Sequence, residues 1–211
     1  QICQKAGLPK GVLNIVHGYG NKVGEALCKH PDVPIISFTG GTVTGKSIST
    51  NTAPLFKKVS LEMGGKNPNI VFADAQFEDA VDMAVKASFS NQGQICLCGS
   101  RLFVENDIYD EFKSAFIKKT SKLVVGDPRD KSSNLGAVVS KQHLEKILSK
   151  IKQAKDDGGT ILTGGNRFQI NGKLKNGYFI KPTIIEGLSS DCLRRSSCAA
   201  VCLSVTITMN L

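Results

Sequence analysis

The sequence has 211 residues, of which 41% are apolar and 7 are proline, and it carries a formal net charge of +9. This composition excludes disorder as the default, and no stretch reaches the roughly 18–20 uninterrupted apolar residues that a membrane span needs. A basic field attracts polyanions, but the lysines are spread singly or in pairs with few aromatic neighbours, so we expect neither a nucleic-acid nor a membrane partner.

The first third of the chain predicts strand, glycine turn and helix in repeated order. Short, largely apolar runs that end in glycine indicate buried strands of a parallel sheet. We predict such strands at 12–17, 33–38 and 59–63. Helices are predicted between them, at 22–29 and 43–52.

The rest of the chain continues this alternation. Strands are predicted at 69–73, 100–105, 160–162, 178–180 and 183–185, and a polar, exposed connection at 124–135. An amphipathic helix is predicted at 76–89, with Phe77, Val81, Ala84, Val85 and Ser88 on its packing face. We expect Asp107 to cap a second helix and Ser140 to cap a third that runs to Lys155. The pattern predicts an α/β fold with a mainly parallel sheet.

Two glycine-rich turns lie between predicted strands and helices, where backbone amides and a helix N-terminus favour phosphate. The first has the spacing G-x-G-x-x-x-G at Gly18, Gly20 and Gly24, one residue longer than the usual dinucleotide fingerprint. The second, at 37–46, contains a string from Gly40 to Ser47 that satisfies the Walker template of phosphate-binding loops. A nucleotide site is therefore expected. A phosphotransferase, a kinase or an ATPase with its phosphate-binding loop at Gly40 to Ser47, stays open as an alternative function.

Two residues are candidates for chemistry. Glu62 ends an apolar run, and apolar surroundings favour a carboxylate that works as a base near neutral pH. Cys96 lies in a polar, glycine-rich loop instead of on an apolar face, which favours a reactive thiol over a structural one. The 7 cysteines fit no secreted disulfide framework, so we expect a reducing, cytoplasmic compartment. Cys96 and Cys98 have no His or second Cys pair beside them, so we expect no metal.

Three stretches resemble successive motifs of the aldehyde dehydrogenase superfamily in order and separation. They are Phe38-Thr39-Gly40, Leu61-Glu62-Met63-Gly64-Gly65-Lys66-Asn67-Pro68 and Asn91-Gln92-Gly93-Gln94-Ile95-Cys96. Residues 6–14 and 177–183 resemble the family as well, so the similarity extends over 1–190 and makes the Walker string a coincidence. Within the family, residues 31–40 and 95–98 most resemble the 2-aminomuconic semialdehyde dehydrogenase branch.

The resemblance implies a division of the chain and a chemistry. Residues 1–63 would be the second half of a Rossmann-like NAD(P)-binding domain, 64–190 an incomplete α/β catalytic domain, and 191–211 a divergent tail. Cys96 would attack a small-molecule aldehyde as a thiolate, and Glu62 would activate the water that releases the carboxylic acid. NAD is the expected cofactor, with NADP left open, and full-length relatives would be homo-oligomers. The implied cofactor-binding residues are Gly20, Gly24, Phe38, Thr39, Gly40, Gly41 and Met63.

The sequence departs from the family pattern in three places. The upstream half is absent, Gly41 stands where many members have a serine, and the stretch after Ser190 lacks a glutamate that would grip the nicotinamide ribose. The chain begins without an initiator Met or a signal peptide, as a fragment of a longer protein would. We therefore expect the 211-residue chain to be inactive alone and prone to aggregate. The alternative is a catalytically dead chain that binds nucleotide or associates with full-length subunits.

Overall fold

A computed structural model of the chain describes residues 1–188 and the backbone of residues 204–209. Two compact units are present, Gln1–Gly64 and Gly65–Leu211, which we call the first and second units. Each combines helices with parallel strands, so the predicted α/β class is confirmed.

The first unit holds two parallel strands and three helices. The helices are α1 (Ile2–Lys5), α2 (Glu25–Lys29) and α3 (Thr42–Thr52), and the strands are β1 (Ile35–Gly40) and β2 (Lys58–Met63). A π-helical turn, Gly20–Gly24, leads directly into α2. The register of the two strands runs from Ile35 opposite Lys58 to Gly40 opposite Met63, which brings their carboxyl ends together.

The strand predicted at 12–17 is wrong. These residues form no strand, and Val12, Leu13, Ile15 and Val16 are all more than half exposed, at 65%, 56%, 73% and 65%. An extended segment is stable only when a neighbouring strand takes up its N–H and C=O groups. No part of the described chain pairs with residues 12–17, so the apolar run stays in irregular structure.

The second unit is built on a five-stranded sheet. Its helices are α4 (Phe77–Phe89), α5 (Tyr109–Thr120) and α6 (Lys141–Asp156). Its strands are β3 (Pro68–Val71), β4 (Arg101–Val104), β5 (Thr160–Thr163), β6 (Arg167–Phe168), β7 (Phe179–Ile180), β8 (Thr183–Glu186) and β9 (Ser204–Met209). The sheet order is β3-β4-β9-β8-β5, parallel except for the β5 and β8 pair, and β6 pairs separately with β7.

The core of the second unit lies where α4 and α5 pack against each other. The Phe89 and Phe116 rings are stacked with centroids 6.1 Å apart, and Phe112 continues the stack at 6.3 Å from Phe116. Val81, Ala84, Val85 and Ser88 of α4 are buried as predicted. Burial of these side chains fixes α4, and with it the loop that begins where α4 ends.

The two predicted helix caps have different outcomes. Ser140 caps α6 as expected, because its Oγ accepts a hydrogen bond of 3.1 Å from the backbone N–H of His143. The cap predicted at Asp107 is wrong. A short 3-10 turn at Asn106–Ile108 precedes α5, and the residue before the helix is Ile108, which makes no side-chain cap.

Strand β9 was not predicted from the sequence. It lies between β4 and β8 and pairs in parallel with both, so the last segment of the chain supplies a central strand of the sheet. Ser204-Val205-Thr206-Ile207-Thr208-Met209 is rich in β-branched residues, which is the signal that indicates a strand. The expected divergent tail, 191–211, falls mostly on residues 191–203 and 210–211, which lie outside the described residues.

Candidate active site

The carboxyl ends of β1 and β2 bring together four of the residues singled out in the sequence. Thr39 is the register partner of Glu62, and Gly40 is the partner of Met63. The backbone N–H of Gly64 donates a hydrogen bond of 3.3 Å to the Gly40 carbonyl oxygen, which extends the pairing past the end of β2. This edge of a parallel sheet is where α/β folds bind ligands.

Helix α3 begins immediately after this edge, with only Gly41 between it and β1. Gly41 caps the helix without a side-chain hydrogen bond, and the first turn of α3 contains no acidic residue. No side chain of the first turn therefore competes for the first backbone N–H groups of the helix, and their partial positive charge suits a phosphate. Gly41 has no heavy atom within 4 Å of the position of a Cβ, which leaves space for a ligand to approach the backbone.

Met63 and Gly45 explain how closely α3 packs on the strands. A Cβ on Gly45 would collide with Cε of Met63 and lie 2.8 Å from its Sδ. The Met63 side chain is thus folded under α3, which leaves the backbone of Met63 at the end of β2. Phe38 behaves in a similar way, because a Cβ on Gly40 would lie 2.5 Å from Cζ of the Phe38 ring.

The Walker string does not form a phosphate-binding loop. Such a loop needs several residues between strand and helix so that its backbone amides surround a phosphate. Only Gly41 lies between β1 and α3, and Lys46 already lies inside the helix. The geometry therefore argues against the phosphotransferase alternative.

Gly20 and Gly24 begin and end the π-helical turn ahead of α2. Neither has a heavy atom within 4 Å of the position of a Cβ, so both leave their backbone open. Gly18 differs, because a Cβ there would collide with the Val23 side chain. Gly18, which precedes the turn, is therefore needed for close packing, whereas Gly20 and Gly24 have room for a ligand.

Glu62 is exposed, and this corrects one step of the sequence reasoning. An apolar run in sequence suggested that the carboxylate would be enclosed. In β2 the side chains alternate between the two faces, and the neighbours Leu61 and Met63 are half-buried while Glu62 points to the other face. The described first unit therefore presents Glu62 as a carboxylate open to water.

Cys96 lies in the second unit, on an exposed turn between α4 and β4. After α4 the chain passes through three consecutive residues with positive φ, Asn91 at 49°, Gln92 at 55° and Gly93 at 66°. A left-handed conformation is uncommon outside glycine and asparagine, so this path is held by its surroundings. The turn closes where the Cys98 N–H donates a hydrogen bond of 3.0 Å to the Ile95 carbonyl oxygen.

Cys96 and Cys98 have opposite environments. Cys96 is exposed, whereas Cys98 is buried and its Sγ lies 3.9 Å from the carbonyl oxygen of Ser90. Across the described residues no three His, Cys, Asp or Glu side chains gather in a group that would hold a metal ion. Of the two thiols, Cys96 is the one that a substrate can reach.

The sequence reasoning missed the residues that anchor this turn. The Asn67 side-chain amide donates hydrogen bonds to the carbonyl oxygens of Cys96 at 2.7 Å and Cys98 at 3.3 Å. The buried Ser88 Oγ donates to the Gly99 carbonyl oxygen at 3.0 Å, and the Gly99 N–H donates to Ala87 at 3.2 Å. Asn67 stands just before β3, and it was noted in the sequence only as part of a motif, because the pairing of β3 with β4 that brings it to this turn is not visible in the sequence.

The geometry gives each unit a chemical capacity of its own. The first unit offers an open helix N-terminus and an exposed carboxylate at one sheet edge, which suit an anionic ligand and proton transfer. The second offers an exposed thiol on a turn whose main chain is fixed by hydrogen bonds, which suits a nucleophile.

Comparisons with known proteins agree on one family. The model of the "Aldehyde dehydrogenase family" matches residues 1–197. Among curated relatives, the 2-aminomuconic semialdehyde dehydrogenases of Mus musculus and Homo sapiens are 49% and 46% identical over 193 residues, which is 90% of this chain. The chain spans only 40% of the length of each of these relatives.

Solved structures give the same result. Betaine aldehyde dehydrogenase of Staphylococcus aureus, crystallised in complex with NAD+, superposes with a TM-score of 0.88 at 38% identity. The match covers 98% of this chain and 41% of that one. PnpE, in complex with nicotinamide adenine dinucleotide, also matches with a TM-score of 0.88, at 39% identity over 98% of this chain and 42% of its own.

Proposed function

Because this chain belongs to the aldehyde dehydrogenase family, we propose that it carries the nucleophile and the base that oxidise an aldehyde to a carboxylic acid with NAD. Residues 1–63 would serve as part of the cofactor domain and 64–190 as part of the catalytic domain. The observation that carries the proposal is the exposed Cys96 thiol on a fixed turn, within a family match that spans both units.

Cys96 and Glu62 would act in two successive steps. The Cys96 sulfur attacks the carbonyl carbon as a thiolate and forms a thiohemiacetal, and loss of hydride from that carbon leaves a thioester on Cys96. Glu62 then takes a proton from water as the water attacks the thioester, which releases the acid and restores the thiol. The exposed position of Glu62 supports this role, since a base that activates water must itself be reached by water.

NAD, when bound, would accept the hydride and leave as NADH. The residues that would hold it are Gly20, Gly24, Phe38, Thr39, Gly40, Gly41 and Met63. The open N-terminus of α3 supports this assignment, because its N–H groups suit the pyrophosphate. The relatives crystallised with NAD+ favour NAD over NADP.

The substrate would be 2-aminomuconate semialdehyde. The supporting observation is the identity to proteins of that name, 46–49% in mouse and human. The 4-trimethylaminobutyraldehyde dehydrogenase A of Danio rerio is 43% identical, so an aldehyde with a quaternary ammonium group is the competing substrate. A panel of both aldehydes, assayed on the protein that contains this chain, would separate them by kcat/KM.

The setting of the reaction is a further part of the proposal. We place the chain in the cytoplasm, because the proposed mechanism depends on a reduced Cys96 thiol. In the described part of the chain, no helix is long and apolar enough to cross a membrane. Assembly into a homo-oligomer is proposed for the protein to which the chain belongs.

Thiol labelling together with NAD titration tests the proposal. Iodoacetamide should alkylate Cys96 faster than Cys3, an exposed cysteine of the same chain that serves as an internal reference. NAD should bind in a titration with wild-type chain. The alternative, a catalytically dead chain kept for nucleotide binding, predicts NAD binding with a Cys96 no faster than Cys3. If NAD does not bind and Cys96 is not fast, neither assignment holds.

A further inference from the structure

The Asn67 side chain makes a pair of hydrogen bonds to the main chain around Cys96. Its Nδ2 lies 2.7 Å from the Cys96 carbonyl oxygen and 3.3 Å from that of Cys98. A carboxamide nitrogen has two hydrogens, so this one group can serve both acceptors.

The backbone of Asn67 is held in place by the neighbouring strand. The Asn67 backbone carbonyl oxygen accepts a hydrogen bond of 3.2 Å from the Arg101 backbone N–H, and Arg101 Nε donates to the Lys66 carbonyl oxygen at 2.9 Å. The next residue, Pro68, is already in register with Arg101 in the parallel β3 and β4 pair. The sheet therefore fixes the position of Asn67, and the hydrogen bonds from the Asn67 amide hold the exposed turn against the sheet.

Fixing the Cys96 carbonyl also fixes the peptide unit that follows it. In a trans peptide the C=O and the next N–H point in opposite directions. With the Cys96 oxygen turned toward Asn67, the Leu97 N–H points away from Asn67, and no described residue accepts a hydrogen bond from it. Both carbonyl groups, those of Cys96 and Cys98, are thus held by the Asn67 amide, so the main chain that carries the Cys96 side chain is fixed at two points.

From this arrangement we infer that Asn67 is a positioning residue for Cys96, which holds the turn in the conformation that presents the exposed Cys96 thiol. This inference rests on the proposed role of Cys96 as nucleophile. Asn67 does not touch the reacting atoms; it acts through the carbonyl groups of Cys96 and Cys98.

Two substitutions at Asn67 distinguish the hydrogen-bond donor of its side chain from the side chain's size and shape. Asn67→Ala removes the donor, and we expect Cys96 alkylation at neutral pH to slow by about threefold, the effect of one net hydrogen bond. Asn67→Asp keeps the shape but places a carboxylate against the two carbonyl oxygens, so we expect a loss of about tenfold. Asn171→Ala is the matched control, because Asn171 is exposed and makes no side-chain cap, and its rate should stay within about twofold of wild type.

The measurement uses iodoacetamide on the 211-residue chain, with quantitative mass spectrometry of tryptic peptides. Residues 1–5 report Cys3 as the exposed reference, and residues 87–101 report Cys96 and Cys98. Buried Cys98 is an internal test of folding, because it becomes labelled only if the turn opens. The rates are measured at one neutral pH. Asn67→Ser, which restores one hydrogen-bond donor, should recover part of the lost Cys96 rate, whereas a disrupted turn exposes Cys98 to labelling.

The inference is supported if Cys96 of the wild type is alkylated faster than Cys3, and if both variants slow this alkylation at neutral pH while Cys98 stays unlabelled. A fast Cys96 that is unchanged by Asn67→Ala overturns it and leaves the proposed function standing. A wild-type Cys96 no faster than Cys3 overturns the nucleophile assignment itself. If Cys98 becomes labelled in Asn67→Ala, the Asn67→Ser variant decides, because serine keeps one hydrogen-bond donor. If Cys98 is labelled in Asn67→Ser as well, Asn67 maintains the fold and the positioning role is wrong.

Discussion

Thr39 of β1 and Glu62 of β2 are register partners, and each stands one residue before the end of its strand. The strand that leads into α3 and the strand that carries the proposed base thus end at the same edge. A ligand bound through the N-terminus of α3 would lie beside that edge. The proposed phosphate site and the proposed base therefore lie at the ends of one pair of parallel strands.

A negative charge at the start of α3 should weaken NAD binding. Thr42 is the first residue of the helix and is exposed, so Thr42→Glu places a carboxylate where the pyrophosphate would sit. We expect the Kd for NAD to rise about tenfold, which corresponds to about 1.4 kcal/mol. The same change should stabilise the helix by about 0.3–1 kcal/mol through its dipole, so weaker binding would not reflect unfolding.

Ser49→Glu is the matched control for that titration. Ser49 is exposed on the same helix but lies in its second half, away from the free N–H groups. Its Kd should stay within about twofold of wild type. Equal weakening by both substitutions would show a general charge effect, and the α3 N-terminus would lose its role as the phosphate site.

The 211-residue chain by itself should be inactive and should self-associate. Large apolar side chains of the first unit are exposed, among them Phe56 at 97%, Ile15 at 73% and Ile35 at 58%. At about 25 cal/mol per Å², a few hundred Å² of unburied apolar surface is worth several kcal/mol, against a typical stability of roughly 5–15 kcal/mol. We expect no aldehyde-dependent NADH signal and a light-scattering mass that rises with concentration. Robust NADH formation by monomeric chain would contradict this, with an active betaine aldehyde dehydrogenase as the assay control.

Sequence reasoning succeeded where local pattern and packing agree. The apolar stripe of α4 and the Ser140 cap are short-range features, and both were predicted correctly. It failed at residues 12–17, because an apolar run becomes a strand only if another strand pairs with it, and pairing is not visible locally.

The candidate site shows the same contrast between local sequence motifs and features that depend on tertiary structure. Motifs identified Cys96 and Glu62, but the exposure of Glu62 follows from the face it occupies in β2, which a run of apolar letters does not reveal. The contact from Asn67 to Cys96 joins residues 29 apart in sequence. It depends on the parallel register of β3 and β4, so no sequence spacing could have given it.

Replacing Gly164 by alanine should destabilise the chain more than replacing Gly172 by alanine. The two glycines have nearly the same φ, +74° and +73°, so alanine at either site incurs a similar left-handed strain of about 1–2 kcal/mol. At Gly164 a Cβ would also collide with the Pro182 carbonyl oxygen and lie 2.8 Å from its carbon, whereas Gly172 has open space.

Denaturant unfolding of the two alanine variants measures that difference. We expect Gly164→Ala to lower the free energy of unfolding by about 1–3 kcal/mol more than Gly172→Ala, because rigid backbone must move to admit the methyl group. Equal losses at the two sites would show that the turn after β5 yields easily and that the close approach to Pro182 carries no energetic cost.

The stability of the second unit should fall as the pH drops through the ordinary range of histidine. His143 lies in the first turn of α6, and burial, with a smaller contribution from Lys146, lowers its pKa below the usual 6.5. The unfolded chain therefore binds a proton on His143 more readily than the folded chain does. Below pH 6.5 that preference favours unfolding, and it is absent at higher pH.

His143→Gln should flatten this part of the pH profile, because glutamine does not titrate. The measurement is the free energy of unfolding in denaturant at a series of pH values on both sides of 6.5. Exposed His17→Gln is the matched control and should keep the wild-type slope. Asp127 does not interfere, because Arg129 lowers its pKa to about 2, so its stabilising contribution is lost only at much lower pH. If wild type and His143→Gln lose stability in parallel between neutral and mildly acidic pH, the titrating group is not His143.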